Sequence, residues 1–245
     1  MFFTFGGIAS GNVGSLPEAL QSALSTLILT GVIVLGILMT FWISRLLSKT
    51  ILKGVPSSFT LELPPYRRPQ IGKVILRSIF DRTLFVLGRA VAVAAPAGLL
   101  IWLMANIHIG DASLLTHCSG FLDPFARLIG LDGVILMAFI LGFPANEIVI
   151  PIMIMAYMAQ GSLTDFQDLT QLKTLLLDNG WTPVTAICTM LFSLMHWPCS
   201  TTCMTIKKET QSMKWTLISF VLPTVVGIIV CFFVANICRI LEIGV

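Results

Sequence analysis

An apolar run from Gly133 to Gly161 sets the hardest limit on this chain: its 29 residues would make a straight helix of about 43 Å at 1.5 Å per residue. Against a hydrocarbon core of about 30 Å, that is too long for one crossing and too short for two. Its middle reads Gly142-Phe143-Pro144-Ala145-Asn146-Glu147-Ile148-Val149-Ile150-Pro151. A glycine and two prolines, Pro144 and Pro151, interrupt the backbone ladder, and two polar residues sit at the interruption. In a bilayer, broken backbone persists only where protein or a water-filled cavity satisfies it. Discontinuous helices of this kind offer free N–H and C=O groups to the ion and substrate sites of transporters. A carboxylate near the midplane costs roughly 2.5 to 3.5 kcal/mol on insertion scales, so Glu147 there is protonated, paired or beside a hydrated path. The plainer alternative is that Asn146 and Glu147 cap the second half-helix.

A second interruption falls within Val184–Ile206, at Ser193-Leu194-Met195-His196-Trp197-Pro198-Cys199-Ser200-Thr201-Thr202-Cys203. Pro198 disfavours helix at Trp197 and suits the first position of a new helix, which leaves unpaired N–H groups near Cys199 and Ser200. His196, Cys199 and Cys203 have i, i+3, i+7 spacing, although the break at Trp197 disturbs the alignment of His196. Imidazole and thiol suit borderline or soft transition ions and serve sodium or magnesium poorly. Spacing alone leaves packing cysteines and a hydrogen-bonded histidine as the simpler reading.

The remainder of the chain agrees with a membrane. Of 245 residues, 56% are hydrophobic and 11% charged, with a mean hydropathy of +0.93, whereas soluble domains carry about a quarter charged residues. The apolar residues gather in long stretches, which excludes the short alternating segments of a membrane β-barrel. The expected class is an all-α, polytopic helical membrane protein with about five membrane segments, two of them interrupted. A net charge of +3, without basic runs interleaved with aromatics, argues against a nucleic-acid partner. Cys118, Cys188, Cys199, Cys203, Cys231 and Cys238 lack a disulfide spacing and mostly lie in apolar stretches, where thiols pack.

Residues 1–22 form a lead-in without the marks of a signal peptide. Residues 23–107 hold two spans, Ala23–Leu47 and Leu84–Ile107, the second with Pro96 as an expected kink. Between them, from Arg45 to Arg82, eight basic residues face Glu62 and Asp81, which places this loop in the cytoplasm. Within it, Ile71–Phe80 has the pattern of an interfacial helix. Residues 108–130 are expected as an external loop carrying His108, Asp111, His117, Cys118 and Asp123, without metal-ligand spacing. Residues 131–245 form a second domain ending in a span from Trp215 to Cys238. If both interrupted segments are single passes, Lys207 and Lys208 fall outside, against the positive-inside rule; one re-entrant hairpin puts them inside and is the favoured arrangement.

Three motifs in this order resemble the C-terminal membrane part of the bacterial ferrous iron transport protein B (FeoB) family. They are Leu61-Glu62-Leu63-Pro64-Pro65-Tyr66-Arg67, the stretch from Gly142 to Pro151, and His196-Trp197-Pro198-Cys199-Ser200-Thr201-Thr202 with Thr205-Ile206-Lys207-Lys208-Glu209-Thr210. The resemblance implies a multi-pass protein of the bacterial inner membrane that imports Fe²⁺ under guanine-nucleotide control. It implies gate motifs at the interruptions, with Cys199 at the position of the gate cysteine on the metal path and His196, Asn146 and Glu147 at matching gate positions; Cys203, Ser200 and Thr201 are expected beside the path. Fe²⁺ is then cargo, with no tightly bound cofactor. This chain carries no G-x-x-x-x-G-K-[ST] loop, so GTP hydrolysis is expected from a separate partner. The resemblance further implies a GTPase-and-first-gate half as complement, as in a split transporter or a truncated piece, small accessory Feo proteins, and an oligomeric assembly. Two other readings compete: a non-conducting membrane protein with an assembly role, and a membrane thiol enzyme using His196 and Cys199, which needs an activated thiolate.

Overall fold

The computed structural model describes residues 18–50, 72–73, 84–110, 112–158 and 169–241. Two compact units emerge, one of residues 37–92 and one of residues 1–36 and 93–245. The unit boundaries fall inside the first two helices, α1 (Glu18–Thr50) and α2 (Phe85–Asn106). Most of the Leu-Glu-Leu-Pro-Pro-Tyr-Arg loop and of the expected interfacial helix lies outside the described residues, apart from helical Gly72 and Lys73.

In α1, hydroxyl side chains turn back on the ladder: Thr26, Thr30 and Ser48 donate to the carbonyls four residues earlier at 2.8, 2.8 and 2.9 Å, so an apolar helix carries them without orphaned donors. Its surface exposes Leu27, Phe41 and Trp42, as befits a helix bathed in hydrocarbon. Helix α2 runs through Pro96 without ending. Among the described residues, two helices suit a membrane crossing by length and composition, Ser22–Thr50 and Met213–Ile240, or three if the bent pair described next makes one span.

Residues 108–130, read from sequence as a loop, contain regular structure. His108–Ile109 (β1) pairs antiparallel with Ala112–Ser113 (β2), and Leu114–Leu128 forms α3, capped by Ser113. Ser, Thr, His and Asp mask the helical period, and Pro124 looks like a breaker. Pro124 and Gly120, whose carbonyl it leaves without a partner, are both exposed, so the lost bond costs little.

Helix α3 meets α4 (Gly133–Leu141) at a bend of 109°. Helix α4 and α5 (Val149–Tyr157) have nine residues each, or about 13 Å, half of the hydrocarbon depth. Between them, Gly142–Ala145 turn and Asn146–Ile148 make one 3-10 turn. Tyr157, at the end of α5, donates its hydroxyl to the Asp132 carboxylate at the start of α4. The first interrupted segment therefore returns to the end from which it came. Trp181 Nε1 donates to the same Tyr157 oxygen at 2.8 Å, and Asp132 also accepts the Ile135 N–H at 2.7 Å. This clamp holds both arms of the hairpin and the start of α7.

The second interrupted segment runs on. Helix α6 (Leu169–Asp178) leads into α7 (Pro183–Met195), a break, α8 (Ser200–Thr210) and the long α9 (Met213–Ile240). Cys188 meets Cys231, a side chain on Gly227 would touch Met195, and Trp197 stacks on Phe220. Rising numbers on one side against falling numbers on the other make an antiparallel register that continues past the break, and α8 goes on packing against α9. The first interrupted segment thus folds back on itself as a hairpin, whereas the second continues past its break.

Both segments start from the same joint. Helix α3 ends with Gly130 N–H on the Arg127 carbonyl and Leu131 N–H on Ala126; α6 ends with Gly180 N–H on Leu177 and Trp181 N–H on Leu176. These are paired Schellman motifs, and the glycines have φ of 75° and 81°, the left-handed region where a side chain is strained. Asp132 and Thr182, two residues on, cap α4 and α7.

Tyr157→Phe removes the acceptor of a largely buried indole N–H and a donor to Asp132. The expected cost is about 1 to 3 kcal/mol, seen as a lower unfolding midpoint in detergent; an unchanged midpoint would mean the clamp contributes nothing to stability.

Candidate functional site

The two interruptions meet. At the hairpin tip, Gly142 N–H donates to the Ala138 carbonyl at 2.8 Å, Ala145 N–H to Gly142 at 3.0 Å and Ile148 N–H to Ala145 at 3.1 Å. The turn thereby uses the carbonyls of Gly142 and Ala145 and leaves those of Phe143 and Pro144 facing outward. Both are taken by Ser200: its N–H donates to Phe143 at 2.9 Å and its hydroxyl to Pro144 at 3.2 Å. Ser200 is 7% exposed. It opens α8, so its N–H is one that the helix itself cannot satisfy. A donor orphaned by one break thus answers an acceptor orphaned by the other.

Close approach at the tip depends on Gly142, where a Cβ would lie 2.3 Å from Val149 Cγ2 and 3.0 Å from the Ala138 carbonyl oxygen. Pro151, expected to help break the segment, sits in the first turn of α5, where its missing N–H costs no bond. Pro198 precedes α8 by two residues; Cys199 is the cap residue and Ser200 the first helical one, so the new helix starts later than the proline pattern indicates.

His196 ends α7 in extended conformation, off the face of α8. Its Nδ1 lies 2.9 Å from the Ser193 carbonyl, an acceptor only, so the proton sits on Nδ1 and Nε2 keeps a free lone pair. That Nε2 is buried and without a hydrogen-bond partner, as is Trp197 Nε1. The imidazole packs among rings: Phe139 at 5.0 Å, Trp197 at 5.9 Å and Phe192 at 6.1 Å. Trp197 stacks on Phe220 at 5.7 Å, and Phe143 meets Phe220 edge-on at 5.7 Å. These rings, from α4, the tip, α7, the second break and α9, were not legible as a cluster because each belongs to a different apolar stretch.

Cys199 Sγ lies 3.1 Å from the hydroxyl oxygens of both Thr201 and Thr202, and Cys203 Sγ donates to the Pro198 carbonyl at 3.5 Å. Asn146 and Glu147 are exposed on the tip. The 3-10 turn has Ala145 at its cap position without a side-chain bond, and α5 has Ile148 likewise, so neither polar side chain acts as a helix cap. Among the described residues, no three His, Cys, Asp or Glu side chains gather to hold a metal ion. In the 108–130 stretch, His108 and His117 bond local carbonyls through Nδ1. Asp123 is engaged by Arg127 Nε at 2.6 Å and Gly133 N–H at 3.0 Å.

Broken half-helices joined at their breaks define a gate-type membrane protein, and the Gate family, described as nucleoside recognition, matches residues 87–213. The family of the ferrous iron transport protein B C terminus matches residues 29–81. Among curated proteins, the Fe(2+) transporter FeoB of Staphylococcus aureus (strain MSSA476) is 30% identical over 219 residues, covering 84% of this chain and 31% of the relative. FeoB of Leptospira interrogans serovar copenhageni is 27% identical over 222 residues, covering 80% and 31%. FeoB of Leptospira biflexa is 23% identical over 224 residues, covering 84% and 32%. The chain belongs to the FeoB family, as its C-terminal membrane region, and spans about a third of the length of these relatives. No solved structure matches it.

Ser200→Ala deletes the hydroxyl bond to Pro144 and keeps the amide bond to Phe143, at an expected cost of about 1 kcal/mol. Ser200→Pro keeps a residue favoured at a first helical position yet deletes both bonds. A larger fall in unfolding midpoint for the proline than for the alanine variant is expected; equal midpoints would remove the amide bond from the account.

Proposed function

We propose that this chain is the membrane gate portion of a bacterial Fe²⁺ importer in the cytoplasmic membrane, working with a partner that carries the GTPase and a first gate. The observation that carries the reading is the meeting of two broken segments through Ser200, with a thiol at the cap of one half-helix and a lone-pair nitrogen at the end of another. Thiol and imidazole match the softness of a first-row transition ion, and a path conducts only if its sites release what they bind. In this reading Cys199, His196 and Glu147 are successive transient ligands, with Asn146, Ser200, Thr201 and Cys203 beside the path. His196 Nε2 is closed off by the aromatic rings, so passage requires the rings to part.

The fold also suggests an orientation. One hairpin and one continuous segment put Lys207, Lys208 and Lys214 at the end opposite Asp132 and Arg239. By the positive-inside rule that lysine end is cytoplasmic and the clamp end external.

The test is radioactive Fe²⁺ uptake in cells lacking other ferrous importers, with this chain expressed alone and with a GTPase-and-first-gate partner. Uptake is expected only with both, reduced about tenfold or more by Cys199→Ser without loss of membrane insertion. Unchanged uptake in that variant would overturn the role of Cys199, and no uptake in any pairing would favour a structural protein. Glu147→Gln is expected to lower the rate of uptake, as loss of a path-lining carboxylate requires, and an unchanged rate would remove Glu147 from the path.

A further inference from the structure

At the clamp end, the two helix joints face each other across a cavity of about 490 Å³ lined by Arg127, Asp132, Asn179, Thr182, Thr185 and Arg239. We propose that this cavity holds the headgroup of a zwitterionic phospholipid, its phosphodiester between the guanidiniums of Arg127 and Arg239 and its ammonium toward the Asp132 carboxylate.

The charges argue for a ligand bearing both signs. Arg239 pairs with no carboxylate among the described residues; its guanidinium donates to the main-chain oxygen of Arg127, and the rest of its donor fork remains for an anion. Arg127 meets Asp123 through Nε alone. Asp132 accepts the Ile135 N–H at one oxygen and the Tyr157 hydroxyl at the other, with the Val134 amide also turned to it, and a carboxylate's lone pairs outnumber these donors. A simple anion would face Asp132, a simple cation would face two arginines, and a zwitterion meets both.

The surroundings argue for a lipid. Helix α3 crosses α4 at 109° and presents Phe121, Phe125 and Leu128, at i, i+4 and i+7, outward, with Phe121 85% exposed. Leu115, Ser119 and Ala126 face the protein. An amphipathic helix set across the bundle with an outward apolar stripe lies in a membrane interface. Ile237 and Ile240, flanking Arg239, are exposed as well. Acyl chains can follow these surfaces while the headgroup occupies the polar cavity, with the arginines reaching the interface as long cationic side chains do.

The chain is reconstituted in nanodiscs of equal parts phosphatidylethanolamine and phosphatidylglycerol, released, and weighed with its bound lipid by native mass spectrometry. Retention of phosphatidylethanolamine over phosphatidylglycerol is expected, falling about tenfold in Arg239→Gln and in Arg127→Gln, with Arg239→Lys intermediate. Arg127→Gln leaves the main-chain oxygen that Arg239 binds, so it tests the site if Arg239→Gln fails to fold. Unchanged retention in a folded glutamine variant, equal retention of both lipids, or displacement of the lipid by inorganic phosphate would each overturn the proposal, the last in favour of a soluble-anion site.

Discussion

The structure depends on hydrogen bonds that two interrupted helices cannot make for themselves. In low-dielectric surroundings an unpaired backbone group costs several times what a bond contributes in water, so a chain that breaks twice in apolar sequence has to bring its breaks together. Ser200 does this by supplying an amide and a hydroxyl to the adjacent carbonyls of Phe143 and Pro144. The hairpin depth, the position of α8 and the packing of Trp197 and Phe143 on Phe220 all follow from where that junction lies.

Behind the junction, packing is close and mostly apolar. Phe192, Ile135, Ile152, Met153 and Met190 are fully buried, and Phe139 meets Phe192 edge-to-face at 4.9 Å. Cys188 and Cys231 are wholly buried, each thiol turned to the other's carbonyl. They are packing residues, as their apolar setting indicates, and they differ in kind from Cys199, whose thiol sits among hydroxyls at a helix start.

What sequence reading captures is the local chemistry. Proline and glycine positions locate both breaks, and the excess length of the 133–161 run together with the placement of Lys207 and Lys208 favours a hairpin. What it misses is long-range. Nothing near Ser200 indicates a partner 56 residues away, and Asp132 reads as a simple cap until Tyr157 and Trp181 arrive at it. The two matching joints at Gly130 and Gly180 leave a faint trace, a glycine followed two residues later by Asp or Thr, too common to weigh without the fold. Helix α3 is hidden by its own amphipathicity, since a helix suited to an interface is rich in the residues that also mark a loop.

The half-length arms of the hairpin have an electrical meaning. The hairpin carries Asn146 and Glu147 exposed on its turn, about 13 Å from its base, and a hairpin set to that depth in a hydrocarbon core of about 30 Å would thin the insulating layer wherever those groups are solvated. The voltage across a membrane then drops over a shorter path, and a charge at the turn senses only part of it. With about 2.3 kcal/mol per elementary charge per 100 mV across the full thickness, a charge at the turn of a hairpin so placed would register only a fraction of that figure.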